Sequence, residues 1–163
     1  LVGNTTLSSP NSGGMFLALY NDQGTFYWAK NAVAGSNQSI EGNDLELANG
    51  DEYVCGTLKG KSADFGTVQL SEDTIGNHLF IAVYDRGGPL LWARSYGNVG
   101  LKQGAQIAVK SDSTIYVSDG INQVHIFSPT GDYQQTIDIT NYTQISGFLI
   151  ENDELSHEFL PLI

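Results

Sequence analysis

A segment of this chain recurs without a gap at a distance of 64 residues. FLALYNDQGTFYWAK begins at Phe16, and FIAVYDRGGPLLWAR begins at Phe80. Phe, Ala, Tyr, Gly, Trp and Ala stand at the same places in both copies, and each copy ends in a basic residue, Lys30 or Arg94. Such a match of rare residue types in one register marks a duplicated structural unit, and units of this kind are stable only when stacked on one another.

Weaker matches extend the repeat over the rest of the chain. Tyr53-Val54 corresponds to Tyr116-Val117, and a lead-in segment recurs from Val2 and from Phe65. A third copy, VHIFSPTGDYQQTIDI from Val124, has the same strand–turn–strand pattern but no lead-in. We therefore interpret 1–163 as a single segment, with 1–14 as the end of a preceding unit or a lead-in, and with units at about 15–57, 79–119 and 123–160.

The repeated pattern predicts strands that are covered on both faces. FIAVYD places Phe80, Ala82 and Tyr84 on one face and Ile81 and Val83 on the other, so both faces are apolar. The turns NDQG, DRGG and SPTG supply residues that accept tight-turn backbone angles. We expect an all-β fold in which each unit is a four-stranded antiparallel sheet and the sheets pack face to face, as about three blades of a β-propeller do.

The pattern F-x-A-x-Y-[DN]-x-x-G-x-x-x-W-A-[KR], followed by an apolar strand and a Tyr-Val strand, resembles the bacterial SBBP repeat, which forms seven-bladed β-propellers. The third copy resembles an NHL-type repeat. The resemblance implies a binding or adhesive region of a bacterial protein that is extracellular, on the cell surface or associated with the outer membrane. Closed propellers have about four to eight blades. Three units therefore predict a longer parent polypeptide or a multi-protein complex.

Charge narrows the classes of partner. The formal net charge is −11 and the pI is about 4.3, so a nucleic-acid partner is not expected. No apolar stretch is long enough to span a membrane. No Lys or Arg follows Lys110, and the segment ENDE from Glu151 lies in this acidic region. ENDE lacks the ligand spacing of an EF-hand loop, so a solvated turn is favoured while calcium binding by the acidic C-terminal third stays open.

The sequence offers little for catalysis. His78, His125 and His157 are isolated from one another, and no HExxH, paired Cys or Gly-x-Ser-x-Gly pattern occurs. The single cysteine, Cys55, lies in the apolar run EYVCG, where a buried and inert thiol is expected. We predict no catalytic residues, no metal site and no cofactor, and the residues of a binding site are not identified.

Trp28 and Trp92 allow two interpretations. They can be ligand platforms, or packing residues that recur once in each unit. Their repetition at the structural period favours packing. The function expected is that of a non-catalytic binding, adhesive or scaffolding segment with a protein or carbohydrate ligand. The alternative is the propeller part of a carbohydrate- or peptide-active enzyme, a lyase or hydrolase, with its site at the blade ends.

Overall fold

The computed structural model describes residues 5–9, 13–97, 100–139, 142–151 and 154–161, and only the backbone in the last two ranges. The described residues contain twelve β-strands and no α-helix, which confirms the all-β prediction. They also contain no helix that could cross a membrane. The strands are β1 Gly14–Tyr20, β2 Phe26–Ala34, β3 Ser39–Ala48, β4 Asp51–Asp64, β5 Gln69–Asp85, β6 Leu90–Ser95, β7 Gln106–Val109, β8 Ile115–Ser118, β9 Gln123–Phe127, β10 Tyr133–Asp138, β11 Tyr142–Glu151 and β12 Glu154–Pro161.

All strand pairs are antiparallel, and consecutive strands form two meanders. β3, β4, β5 and β6 make the first, and β7, β8, β9 and β10 make the second. β11 and β12 form a separate hairpin. The β1–β2 hairpin joins the first meander only where Val33 and Ala34 pair with Asp64 and Ala63.

The prediction that 15–57, 79–119 and 123–160 each form a four-stranded sheet is wrong. Each meander instead combines hairpins of two sequence units. β3–β4 from the first unit joins β5–β6 from the second, and β7–β8 from the second unit joins β9–β10 from the third. The reason lies in the connections. β4 and β5 are paired from Asp51–Asp85 out to Asp64–Gln69, which ties consecutive units into one sheet. The link after β6 instead leads the chain to a different sheet.

The duplicated segments adopt the same local geometry. Trp28 pairs with Leu19, and Trp92 pairs with Val83. In both hairpins the register shifts just after that partner, between Leu19 and Tyr20 and between Val83 and Tyr84. A shared bulge at the same place shows that the repeated sequence specifies the hairpin down to its irregularity.

Strand β5 separates two apolar cores, as its alternating pattern predicts. Phe80, Ala82 and Tyr84 face a first core that the β1–β2 hairpin covers with Met15, Leu17 and Trp28. The opposite face packs on the second meander. This second core contains Leu79, Ile81, Val83, Ile107, Ile115, Val117 and Phe127. Both faces of the first meander are thus removed from water, which is the main source of its stability.

The two tryptophans occupy equivalent places in their hairpins, and each has only a minor part of its surface exposed, in keeping with the expectation that packing residues at these positions are mostly buried. Trp28 stacks on Tyr84 with ring centroids 6.1 Å apart. Its Nε1 donates a hydrogen bond to the Arg86 carbonyl at 3.0 Å. Trp92 packs against the second core. Each ring lies over the turn of the following hairpin, a position that leaves part of the ring in solvent.

Candidate functional site

A groove of about 880 Å³ lies between the β1–β2 hairpin and the turns that follow β4 and β5. One wall is β2 at Ala29–Asn31, and another is formed by the end of β4 and the turn that follows it, at 62–67. Pro89 and Leu90, at the start of β6, close one end. The segment Thr5–Ser8 borders the groove and is held there by a hydrogen bond of 2.7 Å from Asn31 Nδ2 to the Ser8 carbonyl.

Aromatic and aliphatic side chains line the bottom of the groove, and polar groups lie at its rim. Tyr84, Phe65 and Leu70 are buried lining residues. Burial raises the pKa of Tyr84 to about 12, so its hydroxyl is neutral at physiological pH. The exposed side chains of Lys30 and Thr67 lie at the rim. This combination of an apolar base and a few polar groups is typical of ligand sites.

At Ala29–Asn31 the groove borders strand β2, and the edge of β2 away from β1 joins no other described strand along most of its length. One edge of β2 pairs with β1 along most of its length, while the other pairs only at Val33 and Ala34. No other described strand pairs with the remaining edge at Phe26–Ala32. Unpaired backbone donors and acceptors at such an edge can receive an extended chain as an additional strand.

A second, smaller pocket of about 330 Å³ lies beside His125, on β9. His125 is buried, and its Nδ1 is 2.8 Å from Thr136 Oγ1. The Thr136 hydroxyl is in turn 2.9 Å from the Tyr133 hydroxyl. Removal from water lowers the pKa of His125, against the opposing charges of Asp119 and Asp138, which favours the neutral imidazole.

The carboxylate nearest to this pocket is already engaged. Asp119 Oδ1 accepts hydrogen bonds from the amides of Ile121, Asn122 and Gln123 at 2.8, 3.0 and 3.0 Å. These bonds shape the β8–β9 turn, so the carboxylate has a structural role. The pocket therefore offers one neutral imidazole together with the ammonium group of Lys102 and with amide and backbone groups, which suits a small polar ligand better than acid–base chemistry.

Of the other two histidines, both predicted to be isolated, the structure describes the side chain of His78 but not that of His157. His78 is buried, and its Nε2 donates to the Thr74 carbonyl at 3.0 Å. The buried carboxylate of Glu72 accepts a hydrogen bond from the Gly97 amide at 3.1 Å. No three His, Cys, Asp or Glu side chains come together as metal ligands in the described part of the chain. The side chain of His157 and the ENDE segment lie outside the residues whose side chains are described.

Cys55 is buried in the second core, as predicted. Burial raises the pKa of its thiol well above the usual range, so the thiolate does not form under physiological conditions. The thiol is therefore a packing group.

Sequence analysis missed one unusual residue, Glu52. Its side chain is 2% exposed, and neither carboxylate oxygen has a hydrogen-bond partner among the described residues. Burial raises the pKa of Glu52, its own backbone amide and the charge of Arg86 oppose this effect, and the charges of Asp51 and Asp85 add to it. The signal was present in the repeat, because Glu52 precedes Tyr53 where an apolar residue, Ile115, precedes Tyr116.

Comparison with known proteins assigns no family. No family model matches the chain, and no curated protein matches it. One solved structure with a weak likeness is a protein of unknown function from Bacteroides caccae, at 12% sequence identity and a TM-score of 0.33. The likeness covers 81% of this chain and 55% of that protein, so the chain spans little more than half of its length. A likeness at this level carries no argument about function.

Proposed function

We propose that the chain is a segment of a β-propeller in which the meanders β3–β6 and β7–β10 are neighbouring blades. Its role is that of a non-catalytic binding or scaffolding module in a larger secreted or surface-associated bacterial protein. The observation that carries this proposal is the recurring contact between consecutive hairpins, in which Trp28 lies over Gly88 and Trp92 lies over Gly131. Contacts between the same residue types at successive positions of the repeat are what a stacked array of repeats requires.

The groove is the proposed ligand site of this module. Stacking uses the broad faces of the first meander, so hairpin edges and turns are left for recognition. The edge of β2 that no other described strand joins supplies backbone groups, and the partly exposed side chains of Val33, Pro89 and Leu90 supply apolar contact area. These features suit an extended chain, either a peptide that adds as a strand or an oligosaccharide whose apolar ring faces pack on these side chains.

We expect the 163-residue chain to bind at least one extended polymer in this groove, and Thr67→Trp to weaken that binding. Thr67 is exposed at the rim, so an indole there fills the groove without disturbing the core. The labelled chain is applied to arrays of immobilised oligosaccharides and of extended peptides, and affinities for the probes retained are measured by titration. A loss of at least about tenfold, or 1.4 kcal/mol, is expected for Thr67→Trp.

The matched control is Thr74→Trp, an exposed threonine on β5 that does not line the groove. It adds the same indole to the surface and should leave the affinity unchanged. Absence of saturable binding to every probe, or an equal loss in both variants, would show that the groove is not a ligand site.

One observation supports the alternative, in which the chain is the propeller part of an enzyme. The His125 pocket lies next to the β8–β9 turn, at the end of a meander. We expect no turnover of polysaccharide or peptide substrates by this chain, because His125 has no free carboxylate partner there. The measurement is release of reducing ends or of new amino termini over many enzyme equivalents. Turnover that disappears in His125→Gln, with folding retained by circular dichroism, would make the enzymatic alternative correct.

A further inference from the structure

The outer face of the β1–β2 hairpin is apolar, and large side chains on its β1 strand are exposed, whereas Ala29 on its β2 strand is buried. Phe16 is 63% exposed and Tyr20 is 45% exposed, with Ala18 between them on the same face. Their equivalents in the next hairpin, Phe80 and Tyr84, are 0% and 1% exposed. The same residues at the same places in the repeat are therefore buried in one hairpin and open to solvent in the other.

The equivalent face of the β5–β6 hairpin is buried by the inner face of the β1–β2 hairpin. The indole of Trp28 lies so close above Gly88 that a Cβ at that position would be 3.0 Å from its Cγ atom. The contact then repeats one hairpin further along. A Cβ at Gly131 would lie 2.8 Å from Cζ3 of Trp92, and Tyr96 donates a hydrogen bond to the Gly131 carbonyl at 2.7 Å.

Gly24 is the corresponding turn glycine of the first hairpin. It has a positive φ of 77°, as Gly88 and Gly131 do at 100° and 79°. No described heavy atom lies within 4 Å of a Cβ built on Gly24. The turn glycine is covered by an indole in the β5–β6 and β9–β10 hairpins. The same position is therefore open in the β1–β2 hairpin.

We propose that the face formed by Phe16, Ala18, Tyr20 and the Gly24 turn is the docking face for a further hairpin of the same repeat, supplied by a unit that precedes this one in the parent polypeptide. That hairpin carries a tryptophan at the third position of its second strand, where Trp28 and Trp92 stand. The tryptophan lies over Gly24 and stacks on Tyr20, as Trp28 does with Gly88 and Tyr84.

A second copy of this chain does not supply such a hairpin. Trp28 and Trp92 are its only tryptophans, and both already lie over turns of their own chain. In the third hairpin the equivalent position, opposite Ile126, is Gln135. The docking face rests on the proposed stacking of hairpins and is independent of ligand binding in the groove.

The test extends the chain by one repeat. A copy of residues 1–64 is joined to Val2, which then stands where Phe65 follows Asp64 in the native chain. Ala18→Cys in the native hairpin reports on the docking face by its rate of maleimide labelling, and buried Cys55 gives a low background. We expect labelling to slow by more than about tenfold in the extended chain relative to the 163-residue chain, because reaction then requires local opening.

Two further variants identify the contact. Trp28→Ala in the added copy, or Gly24→Ala in the native hairpin of the extended chain, should restore fast labelling. Gly24→Ala in the unextended chain strains the turn equally, because of its positive φ, but should leave the labelling rate unchanged. Ile75→Cys, at a position that is 80% exposed on β5, should react equally in all of these proteins. Equal labelling of Ala18→Cys with and without the added unit would overturn the docking face. Slow labelling that survives both variants would overturn the contact assigned to it. Failure of ligand binding in the groove leaves these outcomes unaffected.

Discussion

Phe80→Ala is expected to lower the free energy of unfolding by about 3–5 kcal/mol, and Phe16→Ala by less than about 0.5 kcal/mol. The two residues occupy the same place in the repeat, but Phe80 is 0% exposed and Phe16 is 63% exposed. Phe80 packs edge to face on Phe65 with ring centroids 5.8 Å apart, so its removal leaves a cavity in the first core. Urea denaturation followed by circular dichroism gives both values.

The pair of variants serves as its own control, because the residue type, the strand position and the substitution are the same. Measurement at two protein concentrations separates folding from self-association through the open face. Equal losses for the two variants, independent of concentration, would mean that Phe16 is covered within one chain and would contradict the hairpin arrangement described above.

Strand positions follow from local sequence, which explains why the all-β prediction was confirmed. In β5 the alternation of Phe80, Ala82 and Tyr84 with Leu79, Ile81 and Val83 requires cover on both faces, and two cores provide it. Gly24 and Gly88 lie in the predicted turns after β1 and β5, and both have a positive φ.

The grouping of hairpins into sheets was not predictable in the same way. A repeat specifies the period of a structure, but the same period is satisfied whether a sheet begins at β1 or at β3. The grouping depends on the pairing of β4, Asp51–Asp64, with β5, Gln69–Asp85. These strands form a long hairpin, and the sequence of its tip, Phe65 to Val68, carries no strong turn signal.

The candidate sites were harder to predict because they are assembled from distant parts of the chain. The groove joins β2 to a turn some thirty residues later and to Tyr84 beyond it. The His125 pocket depends on Asn77 and on the loop before β7. Only Glu52 left a local signal, as a carboxylate at a position that is apolar in the second unit.

Glu52→Ile is expected to raise the free energy of unfolding at pH 7 by about 1–3 kcal/mol. The side chain lies on β4 between Leu47 and Tyr84, and its carboxylate is buried without a hydrogen-bond partner among the described residues. Isoleucine stands at the equivalent position, Ile115, where it is fully buried against the second core. Glu52→Gln is the matched variant. It removes the charge but leaves a buried polar group, so it should stabilise less.

The increase in unfolding free energy caused by Glu52→Ile should depend on pH. The raised pKa of Glu52 determines the direction of this dependence. Below the unfolded pKa of about 4.3 the carboxyl is protonated in both states, so no charge is buried. As the pH rises from there through the higher folded pKa, the unfolded state releases its proton first, and the wild type loses stability. The difference in unfolding free energy between Glu52→Ile and wild type should therefore be smallest near pH 4 and reach its maximum by neutral pH. Effects of carboxylates that do not interact with Glu52 cancel in this difference, whereas the interactions of Asp51 and Asp85 with Glu52 contribute to it. A difference that is constant with pH would show that Glu52 is solvated or paired in solution, and a lower stability of Glu52→Ile at pH 7 would show that its carboxylate stabilises the fold.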